Sequence, residues 1–362
     1  MFFRIFKKRL LYSFFFFLSL AFISCKKKAS GPGQFNVDDF KKVQELNGRP
    51  ISLAKLHRGM DLTIIPEKKL LLIIDVDDSD YVKAYDLTTF KFIRSFIKKG
   101  SGPNEQIDCH KLQYDNKGQY LFAVDRGKNK IFIYSIDDIL DSAKAVSPKS
   151  DIMLNNNALF KPLLLPSGKF VDFTVPKTKQ KSPIFNFYNA EGDSLYQKGR
   201  FPGLEQDYNP MELRTAFEGQ FFSSADGGHI VLSYYNSDYI DVYDSLGNLQ
   251  YRVHGPDIFD PAVRTMSKFG GKMIINDQGS HFAYTSPRMK DDSLLVLYQG
   301  LDGPVGPYHE NKLFLFNQKL EPKLFYKLSQ PIFLFDIDWK MKTLYALSHQ
   351  VQGSNLIVIK LP

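Results

Sequence analysis

The stretch LLLIIDVDD (Leu70–Asp78), followed by YVKAYDL (Tyr81–Leu87) and KFIRSFIKKG ending at Gly100, decides the fold. After a Gly/Pro loop, GSGPNE, the same order returns as YLFAVDRGKNK (Tyr120–Lys130) and KIFIYSI (Lys130–Ile136). Each copy has an apolar run ending in aspartate, Asp75 or Asp125, then a polar turn. A second run follows, ending in Tyr85-Asp86 or Tyr134-Ser135. Leu70 and Tyr120 lie 50 residues apart, a blade-length period for a β-propeller.

Working outward, the second strand of each unit is marked by Leu70, Tyr120, Phe170, Ile230, Leu294 and Leu344, with spacings of 50, 50, 60, 64 and 50 residues. Six units fit. The clearest copy is Phe217–Gly255, where four strands are separated by Asp-Gly-Gly, Asn-Ser-Asp and Leu-Gly-Asn turns, and such turns are strong hairpin signals. In the second unit Asn116-Lys117-Gly118 is read the same way. The fifth unit is expected to use strands at Lys272–Asn276, Gly279–Thr285, Ser293–Gln299 and Leu313–Phe316. The sixth, Ile332–Leu361, offers three strands only. An open sheet edge is a liability, and one short strand, Val43–Leu46 or Ile51–Leu53, has no partner near it. It is expected to complete the last blade. The fold class is therefore all-β, a six-bladed β-propeller closed by an N-terminal strand. A two-domain sandwich arrangement is the competing reading.

Composition agrees. The 362 residues include 32 Phe, 19 Tyr and one Trp, with 43% apolar residues, and aromatics favour pleated, half-buried surfaces. The formal charge of +8 is concentrated at the start. Residues 1–24 carry Arg4, Lys7, Lys8 and Arg9 and no acid, and Lys26–Lys28 follow. The remaining body is close to neutral, which argues against a nucleic-acid partner, for which a basic face is expected.

MFFRIFKKRLLYSFFFFLSLAFISC has a basic start, an apolar stretch from Leu10 to Ile23, and a small residue before Cys25. The stretch is short for a membrane span of about 20 residues. It resembles a bacterial lipoprotein signal, with Phe22-Ile23-Ser24-Cys25 as a loose lipobox. The resemblance implies cleavage before Cys25 and lipidation of that cysteine. Phe22 stands where leucine is usual. An uncleaved anchor helix is the alternative. The Phe-rich segment and the polar stretch Lys26–Gln34 look like those of Bacteroidetes lipoproteins, and Lys26–Lys28 favour a periplasm-facing position in the outer membrane. The expected division is a signal peptide over 1–24, a flexible tether over 25–39 and the propeller over 40–362.

The recurring order of Asp-ended strand, polar turn, Tyr-Asp strand and outer strand, with Gly100, Gly102, Pro103 and Glu105 in the loop, is similar to the TolB-like six-bladed β-propeller lipoproteins of Bacteroidetes. The resemblance covers nearly the whole mature chain and implies a fold more than an activity.

Motifs for chemistry are sparse. Gly100–Glu105 lacks the lysine and following helix of a phosphate cradle and reads as a blade-to-blade turn. The seven histidines show no H-x-x-x-H spacing, and no metal or cofactor is expected. Asp75, Asp77, Asp78 and Asp80 superficially suggest a calcium loop, but without a glycine at the bend or a terminal glutamate they read as a solvated turn. Cys109 reads as a buried structural cysteine, since the adjacent His110 points to the opposite strand face. The candidate binding segments are Gly199–Arg214 and Leu301–Asn311, with Tyr208, Arg214, Tyr308 and His309 as the residues placed to stack on a sugar or grip a peptide. Blade-to-blade packing is the competing role for all four. The expected function is a lipid-anchored, non-enzymatic binding module of the cell envelope for a protein or glycan-type ligand. The alternative is a metal-dependent propeller hydrolase or lyase acting on a glycan or lactone in the central channel.

Overall fold

All six residues of the run Leu70–Asp75 are buried, and they divide by strand period. Leu70, Leu72 and Ile74 pack with Leu112, Leu121 and Ala123 of the next unit. Leu71 and Ile73 pack with Tyr345, Leu347 and Leu356 from the end of the chain. A strand covered on both faces is a continuous apolar run rather than an alternating one, and here both covers are neighbouring blades of a ring. The computed structural model describes residues 33–115, 119–154, 159–174, 183–202, 208–268, 271–276, 280–300, 312–348 and 356–362. The sequence assignments at 1–32, including the signal segment and Cys25, at Asn116-Lys117-Gly118 and at Leu301–Asn311 lie outside the described residues.

Two N-terminal strands, β1 (Val43–Leu46) and β2 (Gly48–Ile51), precede the repeats. Blade one holds β3 (Gly59–Ile65), β4 (Leu70–Asp75), β5 (Asp80–Asp86) and β6 (Phe92–Lys98). Blade two holds β7 (Cys109–Tyr114), β8 (Tyr120–Asp125) and β9 (Lys130–Ser135), then, after helix α1 (Ile136–Leu140), β10 (Ser150–Met153). In blade three β11 (Leu163–Leu164) is followed by β12 (Phe170–Phe173), β13 (Phe185–Tyr188) and β14 (Ser194–Lys198). Helix α2 (Pro210–Ala216) leads into blade four, with β15 (Gly219–Ser223), β16 (His229–Tyr234), β17 (Tyr239–Asp244) and β18 (Leu249–His254). A separate hairpin, β19 (Val263–Lys268) and β20 (Gly271–Asn276), comes next. Blade five has β21 (Phe282–Lys290), β22 (Ser293–Gly300), β23 (Lys312–Asn317) and β24 (Pro322–Leu328), and blade six has β25 (Leu334–Asp338), β26 (Thr343–Leu347) and β27 (Leu356–Lys360).

The six marker residues all fall in the second strand of a blade, and the chain is a six-bladed propeller. Two details differ from the sequence expectation. The run Lys272–Asn276 is not the inner strand of blade five but half of the extra hairpin, and the blade's outer strand is β24. Its Pro322 sits at the first strand position, where a missing N–H is tolerated. The N-terminus also supplies two strands rather than one. β2 pairs antiparallel with β27 and closes the ring, while β1 adds in parallel to β24 on blade five. Residues 33–39, expected in the tether, are already bound: Gln34 bridges His254 of blade four, and Phe35 is buried beside Phe314 and Phe316.

The core is six wedges, one between each pair of adjacent blades. Within several blades a buried aspartate ties down the loop that enters the inner strand. Asp75 accepts the N–H groups of His57 and Arg58 (2.8 and 3.0 Å), Asp125 those of Ile107 and Asp108 (2.9 and 3.2 Å), and Asp172 those of Phe160 and Lys161 (2.8 and 2.9 Å). Buried backbone donors need acceptors, so these strands carry Asp at their last or next-to-last position.

Candidate functional site

The first strands of the six blades stand around the ring axis and enclose a cavity of about 620 Å³, to which every blade contributes. Inner strands of different blades are not paired into one sheet, so side chains bridge them. Asp61 accepts the Leu112 N–H at 3.3 Å, joining blade one to two. Gln113 both accepts from the Leu164 N–H (2.9 Å) and donates to its carbonyl (2.7 Å), joining two to three. Gln220 accepts the Ser286 N–H (2.6 Å), joining four to five. Asp336 accepts the Ile64 N–H (3.0 Å), joining six to one.

Four basic residues lie in the same lining, of which Lys290 and Lys340 are exposed while Arg288 and Lys111 are partly buried. Arg288 donates through Nε to Asp336 at 2.7 Å and stands 5.3 Å from the Phe222 ring centroid. Lys111 differs: its Nζ is screened from solvent and has no hydrogen-bond partner among the described residues. Burial pushes its ammonium down to about 8, against the pull of Asp61. Burial pushes the Asp61 carboxyl up to about 6, opposed by the Leu112 N–H, Lys111 and Arg288. Asp172, the clamp of blade three and not part of this lining, is likewise raised to about 6 by burial. Perturbed groups facing a cavity mark functional sites more often than random surface.

The sign of the resulting pH effect follows from linkage. Unfolded, Asp61 releases its proton near the ordinary 3.8; folded, near about 6. The folded state therefore holds an extra proton between these values. That contribution to stability is full below about 4 and is lost as pH rises through about 6. Asp61→Asn is expected to match the wild type near pH 4 and to gain about 3 kcal/mol over it by pH 7. Chemical denaturation across that range checks this, and parallel pH profiles for the two proteins would refute it.

The sequence candidates are distributed unevenly. Tyr208 is not an exposed stacking platform: it is 8% exposed, its hydroxyl donates to the Pro261 carbonyl, and its ring packs edge-on to Phe217. A Gly/Pro-rich neighbourhood suggested exposure, but the ring belongs to the core cluster between blades three and four, together with Leu213 and Ala216 of α2. Arg214, on α2, is half-buried with its guanidinium carbon 3.1 Å from the Phe160 ring centroid, and its Nε has no hydrogen-bond partner among the described residues. Beside it Lys161 pairs with Glu218 at 2.7 Å. Burial, together with the positive charges of Arg126 and Lys161, lowers His110 to about 4, so the ring is neutral at physiological pH. Tyr308 and His309 lie outside the described residues.

Cys109 is buried in the wedge between blades one and two, and its thiol is held well above its ordinary range by burial. The acidic cluster is a clamp. His57, Asp75 and Asp78 approach closely enough to share an ion, but Asp75 already accepts three backbone N–H groups and Lys83 pairs with Asp78. The cluster is outside the cavity lining. The GSGPNE loop closes on itself through Glu105, which accepts the Gly102 N–H at 3.0 Å, and Lys128 caps its carbonyls. It is the turn between blades one and two.

Sequence reasoning singled out neither Asp61 nor Lys111. One signal was available: they lie 50 residues apart, the repeat spacing, at matching places in the inner strands β3 and β7.

Six sheets, five of four strands and one of five, around an axial cavity define a closed β-propeller. The family profile described as TolB-like 6-blade propeller-like matches residues 39–356, and the chain belongs to that family. Among solved structures it is similar to a member of the DUF4221 family from Bacteroides vulgatus, with 10% identity, a TM-score of 0.54, and coverage of 88% of this chain and 98% of the other. It is also similar to a protein described as exported from Bacteroides fragilis, with 12% identity, a TM-score of 0.54, and coverage of 90% and 98%. At these identities the likeness concerns the fold alone. No curated protein matches the chain.

Proposed function

We propose that the chain is a lipid-anchored propeller of the bacterial cell envelope, attached through Cys25 to the outer membrane and facing the periplasm. Its axial cavity binds an envelope ligand, protein or glycan, without altering it chemically. The signal-like segment before Cys25 supports the location, as does the exported relative from Bacteroides fragilis. The observation that carries the binding reading is the division of labour in the cavity wall. Asp61, Gln113, Gln220 and Asp336 hold neighbouring inner strands together, which gives a rigid, preformed lining of the kind ligand pockets use.

Two measurements test this. Cys25→Ala is expected to abolish incorporation of labelled palmitate and to release the protein from the membrane fraction. Envelope glycan fragments incubated with the full-length, detergent-solubilised chain are expected to raise its Tm and to be recovered unchanged by mass spectrometry. Recovered cleavage products, or a large drop in Tm on adding EDTA, would overturn the binding reading in favour of a metal-dependent hydrolase or lyase.

A further inference from the structure

Around the axis, most of the charged and amide side chains already have a task. Arg288 is engaged by Asp336, through Nε at 2.7 Å, and by the Pro287 carbonyl at 3.0 Å. Asp336 also accepts the N–H groups of Ile64 and Ile337 at 3.0 Å each. Among the described lining residues Lys111 differs in that its unpartnered nitrogen is buried. It lies in β7, in the wall of the cavity, and its Nζ is withdrawn from water without a hydrogen-bond partner among the described residues. A buried cation is retained at a cost unless something pairs with it, and the neighbouring Asp61 spends its carboxylate on the Leu112 N–H.

The wall around Lys111 narrows the chemistry of a partner. Asp61 acts on Lys111 as an opposite charge, but Asp61 itself feels Asp336 as a like charge. An anion entering here meets the Lys111 ammonium and the Arg288 guanidinium that Asp336 already engages, with Asp61 and Asp336 as the neighbouring carboxylates, so the two charges of each sign balance. That balance suits a singly charged carboxylate and opposes a phosphate dianion. The other oxygen of Asp61 is an acceptor for a hydroxyl group. Tyr114 and Trp339 add aromatic surface to the lining, and a cavity of about 620 Å³ is within the range that holds ligands of sugar size and larger.

We propose that the axial cavity takes a sugar acid, a uronate-type monosaccharide or short chain, with its carboxylate on Lys111 Nζ, a hydroxyl on Asp61 and its ring against Tyr114 and Trp339. This rests on the cavity being the ligand site, and it names the class of glycan that site selects.

The test uses the full-length chain in detergent with glucuronate and galacturonate as probes, and with glucose, galactose and inorganic phosphate as comparisons. Saturable binding of a uronate is expected, at least tenfold tighter than the matching neutral hexose, and weakened at least tenfold by Lys111→Gln. Removing a buried amine should leave the unliganded melt of K111Q unchanged or raised, so lost binding is not lost folding. As a second readout, a uronate should protect Lys111 from an amine-acylating reagent, measured by peptide mass spectrometry, while the hexose should not. Uronate binding unchanged in K111Q, or no protection of Lys111, overturns the proposal. Equal binding of hexose and uronate in the wild type overturns the carboxylate class while leaving the cavity as a glycan site. If no probe binds, the proposal fails. Unchanged glycan fragments that still raise the Tm would then show that the broader binding reading survives it.

Discussion

A variant lacking residues 35–51, with the segment before them joined directly to the propeller, is expected to lose its cooperative melting transition. Phe40 stacks on Phe314 at 4.7 Å and meets Phe316 edge-on at 5.4 Å, and Phe35 meets Phe316 at 5.2 Å. Phe35, Phe40 and Leu46 are 2%, 4% and 6% exposed. At roughly 1.5–3 kcal/mol for each large apolar side chain removed from water, their loss alone is about 5–9 kcal/mol. That is comparable with the whole stability of an ordinary domain, about 5–15 kcal/mol. The deletion also strips β2 from β27 and β1 from β24, and exposed sheet edges invite association between copies. Calorimetry with light scattering reads both effects. Phe40→Ala is the milder form, expected to cost about 3–5 kcal/mol. A deletion variant that still melts cooperatively within a few degrees of the wild type would show that blade six closes without the N-terminus.

The arrangement has a consequence for an anchored protein. The segment that would lead away from Cys25 is bound successively to blades four, five and six through Gln34, β1 and β2. Residues 34–51 are thus built into the ring through pairings with three blades.

The second large effect is expected at the aspartate clamps. Asp125 is fully buried and accepts the N–H groups of Ile107, Asp108 and Lys128 at 2.9, 3.2 and 3.1 Å. Asp125→Ala leaves these donors unpaired in a place water reaches poorly. At about 1–3 kcal/mol for each buried group left unsatisfied, partly relieved where the donor can rehydrate, the loss is expected to be about 3–4 kcal/mol. This corresponds to a fall in Tm of roughly 5–10 °C. Asp86, which accepts from Thr88 and Thr89 in an exposed turn, is the comparison, and Asp86→Ala should cost about 1 kcal/mol or less. Equal effects at the two positions would show that Asp125 is only another turn residue.

Asp75 and Asp125 were conspicuous in the sequence because they recur at the blade period, yet their meaning was not. An aspartate at the end of an apolar strand reads equally well as the start of a solvated turn or of a metal loop. Its burial depends on a loop 17 to 18 residues earlier returning to donate its N–H groups. The same holds for the candidate site. A Gly/Pro-rich context led to Tyr208 as an exposed ring, while the helix that shares its core cluster is only seven residues long and carries little periodic signal of its own.

What the sequence determined by itself was the fold and the number of blades. Strands buried on both faces must be apolar throughout, turns need Gly, Asn and Asp, and a 50-residue period repeats both. These are local demands, met by neighbours in the chain. The sixth unit's missing strand could likewise be counted. Only the tertiary structure decided that two N-terminal strands, not one, dock on different blades, and that β20 leaves blade five for a hairpin of its own. It alone brought Asp61, Lys111, Arg288 and Asp336 from four blades to one axis. Side chains separated by up to 275 residues acquire a shared field, a shifted pKa or an unanswered charge only when the ring closes, because burial and Coulomb interactions depend on distance in space.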